Sequence, residues 1–166
     1  ASSTIVIINA SASTRTFATG TNTVGAYGTL RYTVAGSTGP LVLSSSSNTF
    51  YDIEFSDATN ARTMTVAGTL AFTSLTPLAN FRGTSGKLMT LASSVSGTAR
   101  ALTFAPGAMI STDYLSIQDM SVSTPLTFFA GANSSNVSGN TNIYFSAPGA
   151  YRYRQGIAGV AASATS

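Results

Sequence analysis

Apolar and polar residues alternate with a period of two along most of this chain, and no segment sustains the period of an amphipathic helix. In Ala26–Val34 (AYGTLRYTV), Tyr27, Thr29, Arg31 and Thr33 oppose Leu30, Tyr32 and Val34. In Thr49–Phe55 (TFYDIEF), Tyr51, Ile53 and Phe55 face one way, while Asp52, Glu54 and the following Ser56 face the other. Arg62–Ala67 and Thr69–Leu75 alternate as cleanly around Gly68. Further strands are expected at Leu41–Leu43, Lys87–Ala92, Arg100–Phe104 and Tyr114–Val122. Within the last of these the apolar phase shifts between Ile117 and Met120, which predicts a bulge or a corner. Thr4–Asn9 (TIVIIN) is almost continuously apolar, as in a strand covered on both faces or pinned against a partner.

Turn-forming runs such as Gly39-Pro40, Asp-Ala-Thr-Asn, Gly-Thr-Ser-Gly and Ser-Val-Ser-Gly separate these segments. From Thr49 onward the strands recur about every 12 to 15 residues, a spacing that fits a sandwich, a barrel or a rung-stacked solenoid. The expectation is an all-β chain built as a short β-solenoid or β-sandwich-like module. A small N-terminal β element or arm covers 1–48, with a weak boundary at Ser44–Asn48. The main β module covers 49–146, and an extended tail of small residues covers 147–166. In Ala132–Thr141, Asn133, Asn136 and Asn140 are interleaved with Ser and Gly, which predicts a shaped loop between two strands. That loop would turn the chain so that Ile143 and Phe145 seal the end of the core.

Composition strengthens the β reading. Charged residues make up only 8% of the chain, against about 25% in an ordinary soluble domain. Ser and Thr together number 50 of 166, so hydroxyls replace charges as the main polar groups. The net charge of +3 arises from seven Arg and one Lys against four Asp and one Glu, a shortage of acids rather than a wealth of bases. Nucleic-acid binding needs basic residues gathered on one face. Here only Arg152 and Arg154 stand together, so no nucleic-acid partner is expected. The longest apolar runs are far too short to span a bilayer, so no membrane partner is expected either.

The inventory also removes most chemistry. With no His and no Cys, Ser-His-Asp and Cys-His arrangements and thiolate metal sites cannot form. Lys87 lies in GTSGKL, which lacks both the first Gly and the final Ser or Thr of a phosphate-binding loop and reads as a turn. Asp52 and Glu54 sit two residues apart, as on one face of a strand, and read as a solvated outer face. Asp113 and Asp119 flank a strand but lack the alternating acidic spacing of a calcium loop. No enzymatic activity, metal or cofactor is expected.

The order of motifs from Thr49 to Phe145 resembles a module of tailed-bacteriophage virion structural proteins, found also in some large bacterial surface proteins. The matching segments are TFYDIEF (Thr49–Phe55), RTMTVAGT (Arg62–Thr69), GTSGKLMTLASS (Gly83–Ser94) and GTARAL (Gly97–Leu102). They continue with DYLSIQD (Asp113–Asp119), AGANSS (Ala130–Ser135) and GNTNIYF (Gly139–Phe145). Phe128-Phe129 replaces a usual Trp-Tyr pair, and Asn142 and Tyr144 flank Ile143 where Gly and Trp are common. The resemblance implies a non-enzymatic structural protein at the virion surface: a capsid decoration, a head fibre, or a neck or tail-fibre component.

Low charge leaves strand edges without their usual Lys and Glu guards. Assembly, with itself and with other virion proteins, is therefore expected through Ile5, Val6, Ile7 and Ile8 or through the tail residues Tyr151, Arg152, Tyr153 and Arg154. The alternative reading is a carbohydrate- or receptor-binding module of a fibre or adhesin, with a host glycan as partner. That reading would use Tyr27, Tyr32, Tyr151 and Tyr153 as exposed aromatic platforms.

Overall fold

A computed structural model describes residues 4–8, 13–18, 28–33, 39–123 and 127–150. These residues form a β-solenoid of about five turns with no α-helix. The first rung holds β1 (Thr4–Ile8) and β2 (Arg15–Phe17). The second holds β3 (Thr29–Thr33), β4 (Leu41–Leu43) and β5 (Ser47–Phe50). The third holds β6 (Ile53–Ser56), β7 (Arg62–Val66) and β8 (Thr69–Phe72). The fourth holds β9 (Phe81–Arg82), β10 (Met89–Ser93) and β11 (Arg100–Thr103). The fifth holds β12 (Ile110–Ser111), β13 (Leu115–Gln118) and β14 (Met120–Val122). The stack closes with β15 (Phe128–Phe129), β16 (Ser135–Ser138) and β17 (Ile143–Tyr144).

Each strand of a rung joins a different parallel sheet, so the sheets form the three faces of the solenoid. One face is β1-β3-β6-β9, continued by the separate sheet β12-β15-β17. The Thr112 hydroxyl, donating to the Phe81 carbonyl, ties these two sheets together. The second face is the six-stranded sheet β2-β4-β7-β10-β13-β16, and the third is β5-β8-β11-β14. On the third face an isolated bridge from Ser121 to Thr141 adds the last rung. β3 pairs with β6 and β4 with β7, so these ladders run straight across Ser44–Asn48.

The inward residues stack in columns, because parallel register places like positions above one another about 4.8 Å apart. Leu41 lies beside Met64, Met64 beside Leu91, and Leu91 beside Ile117. On the first face Tyr32, Phe55 and Phe81 form an aromatic ladder with ring centroids 5.4 and 5.1 Å apart. The Tyr32 hydroxyl closes it by donating to the Gly39 carbonyl at 2.8 Å. A second aromatic column runs from Phe72 through Phe104 to Phe128. The expected alternation is realised at Leu30, Tyr32, Ile53, Phe55, Met64 and Val66, all buried.

Two expectations change locally. Thr49–Phe55 is not one strand: it breaks at Tyr51-Asp52 into β5 and β6, because the Asp52 carboxylate captures the Ile53 N–H and turns a corner. Tyr51 therefore lies 48% exposed instead of joining Ile53 and Phe55 inside. Ala132–Thr141 is not wholly loop, since it contains β16, held in parallel against β13 with a register shift between Ile117 and Gln118. All four β16 residues are exposed, so no alternation betrayed the strand. At the predicted corner between Ile117 and Met120, Asp119 adopts a left-handed φ of 52° and divides β13 from β14.

Candidate functional site

The five acids all lie among the described residues, and each is committed to the fold. Asp52 Oδ1 accepts the backbone N–H of Ile53 and, 26 residues on, that of Leu78, both at 2.7 Å. Asp57 caps the corner after β6: its carboxylate accepts from Thr59, Asn60 and the buried guanidinium of Arg62. Asp113 Oδ1 accepts the N–H of Tyr114 and, 20 residues later, of Asn133, while Oδ2 accepts the Asn133 side-chain amide at 2.7 Å. Asp119 Oδ2 reaches the opposite way and accepts the Gly97 N–H at 2.8 Å. Glu54 pairs with Arg31 of the rung below.

Asp113 and Asp119 thus bracket β13, one at each end, and both press against glycines of the next rung. A Cβ on Gly131 would lie 2.3 Å from Asp113 Oδ1, and one on Gly139 would lie 2.0 Å from Asp119 Oδ1. Both glycines also hold positive φ. Asn140 completes the set: its Oδ1 accepts the Met120 N–H, and its Nδ2 donates to the Ile117 carbonyl and to Asn136. The DYLSIQD, AGANSS and GNTNIYF motifs therefore act together: Asp113 fastens Asn133 of the next rung, Asn140 of that rung fastens the backbone of Ile117 and Met120, and Gly131 and Gly139 leave room for the two acids.

These environments shift the carboxylates in opposite directions. Burial raises the Asp52 carboxyl above its ordinary range, and its two backbone donors offset only part of that effect. Burial also acts upward on Asp57 and Asp113. For Asp57 the donors from Thr59, Asn60 and Arg62 outweigh it, and for Asp113 those from Asn133 and Tyr114 do, so both are held below the ordinary carboxylate range.

The outer side of the first face carries a cleft of about 400 Å³ lined by Arg31, Tyr32, Glu54, Ser56, Asp57 and Asn80. Parallel pairing places Arg31 beside Glu54, and the Phe55 N–H bonds to Asn80, so a polar column runs along one wall. Within the Arg31–Glu54 and Asp57–Arg62 pairs the opposite charges balance, so the trough is polar with little net charge. The neighbouring GTSGKL segment is a turn, with Thr84 and Lys87 exchanging both backbone hydrogen bonds.

The structure separates the candidates that the sequence singled out. Ile5, Val6, Ile7 and Ile8 lie in β1, the terminal strand of its sheet, paired to β3. Tyr151, Arg152, Tyr153, Arg154 and Tyr27 lie outside the described residues. Tyr32 is 3% exposed, because its position points into the aromatic ladder, and so it cannot serve as an exposed platform. Nor is Asp52 a solvated partner of Glu54: it turns inward at the corner while Glu54 stays on the outer face. Among the described residues no group of three acids could hold a metal ion, and no helix is long and apolar enough to cross a membrane. No protein-family model, curated protein or solved structure matches the chain.

Proposed function

We propose that this chain is a non-enzymatic structural protein at the surface of a tailed-phage virion, assembling with itself and with other virion proteins through β edges and terminal arms. The observation that carries this reading is the use of the acids. All five fasten strands and corners, and a chain without His or Cys has few other groups to act as a general base. A solenoid with parallel faces also suits a fibre-like role, and the motif order from Thr49 to Phe145 points to virion modules. Light scattering coupled to size-exclusion chromatography tests the assembly mode. The full chain should run as an oligomer and the chain lacking both ends as a monomer; a stable monomer in both cases refutes it.

A second reading has one observation in its favour, the polar, charge-balanced cleft beside Arg31, Glu54 and Asn80. Such a lining suits a neutral saccharide better than a phosphate. Binding on a glycan array that disappears in Glu54→Ala and Asn80→Ala variants would favour it over a purely structural role.

A further inference from the structure

Each carboxylate of the chain is hydrogen-bonded or ion-paired within the fold, and two exposed cations are left over. No ion pair holds Arg82 or Lys87 among the described residues. Phe81, next to Arg82 in β9, is fully buried, so Arg82 stands on the outer side of the first face.

Two separate contacts bring these cations to the rim of the cleft on that face. Parallel register places Arg82 beside Ser56, which lines the cleft, and the lining residue Asn80 lies two positions before it. Lys87 sits on the turn after β9, where its backbone exchanges both hydrogen bonds with Thr84. The Thr84 hydroxyl donates to the carbonyl of Ala58, another lining residue, at 3.4 Å, so this turn is tied to the same end of the cleft. The two acids that line the cleft, Glu54 and Asp57, are balanced by Arg31 and Arg62. Arg82 and Lys87 therefore make the rim positive beside a charge-balanced trough.

We propose that this rim is an anionic subsite of the cleft and that the ligand is an acidic polysaccharide. A neutral sugar unit occupies the cleft, and the carboxylate of the next unit meets the Arg82 guanidinium. This rests on the saccharide reading of the cleft given above. The planar guanidinium offers a carboxylate two parallel N–H donors, and Lys87 adds a compact charge on the same rim. A phosphate fits less well, because the Thr84 and Lys87 N–H groups that could cradle one are bonded within their own turn. Exposed charges give a modest, salt-sensitive attraction, so the subsite selects among glycans more than it strengthens binding.

Titration calorimetry of the full chain tests this with two probes: a hyaluronan oligosaccharide, in which neutral and carboxylate units alternate, and its carboxyl methyl ester, the same chain without the charge. The acidic probe should bind more tightly, and the preference should shrink as salt is raised. Arg82→Gln should reduce the preference about fivefold, with the circular dichroism spectrum unchanged. The double variant Arg82→Gln, Lys87→Gln should remove it. Equal affinity for the two probes, or a preference that survives in the double variant, overturns the anionic subsite while the saccharide reading of the cleft stands. No glycan binding at all, on the array as in solution, overturns the proposal together with that reading.

Discussion

Asp52 and Asp113 do similar work with opposite chemistry, and the difference predicts opposite responses to amidation. Both donors to Asp52 converge on Oδ1, so an asparagine keeps them while removing a half-buried charge. Asp52→Asn should leave the melting temperature unchanged or raised at pH 7, whereas Asp52→Ala orphans two backbone donors and should cost about 1–3 kcal/mol. Because the folded Asp52 pKa is raised, its charge disfavours the fold increasingly as pH climbs from the ordinary carboxylate value through the folded one. The gain from Asp52→Asn should therefore vanish on acidification below about pH 4. Asp113 uses both oxygens, and Oδ2 faces the Asn133 amide. Asp113→Asn sets two amide donors against each other and should cost about 1 kcal/mol. The lowered Asp113 pKa contributes stability that is present above the ordinary carboxylate value and lost as pH falls through the folded one, so this variant should show a shallower acid transition than the parent. Thermal melts from pH 3 to 7 check both residues.

Strands differ in what holds them, and local sequence reflects only one of the two ways. The core strands rest on buried columns, which period-two alternation makes legible: the inward positions of Ile53, Phe55, Met64, Val66, Leu70 and Leu91 follow from the alternation alone. Phe55, flanked by Tyr32 and Phe81, should cost about 3–5 kcal/mol as Phe55→Ala but under about 1.5 kcal/mol as Phe55→Leu, measured by denaturant unfolding. β16 is held differently. Its side chains are all exposed, and hydrogen bonds from Ser134, Asn140, Asp113 and Asp119 anchor the ends of its rung and of β13. A local pattern cannot reveal such a strand, because its partners lie about one rung away in sequence and its own residues favour turns. The same reason hid the corner at Tyr51-Asp52, where the capping carboxylate overrides an alternation that runs straight through it. Native-state hydrogen exchange should find the β16 amides exchanging far faster than those of β10, which is paired on both sides by β7 and β13.

At the scale of the whole molecule, fold class was legible because hydroxyl-rich alternation with regular turns allows little else. The choice of solenoid over sandwich depended on inter-rung pairing, which no single strand encodes. The candidate surfaces were partly legible: the acids were visible, but their role as fasteners emerges only when successive rungs are stacked. We propose a building-block role for a molecule that commits its few acids to holding rungs together. Cryo-electron microscopy of virions purified from cells that produce this chain tests that proposal most directly. The account predicts ordered copies of the solenoid at the particle surface, in contact with one another and with neighbouring virion proteins. Purified particles that lack the chain altogether would contradict it.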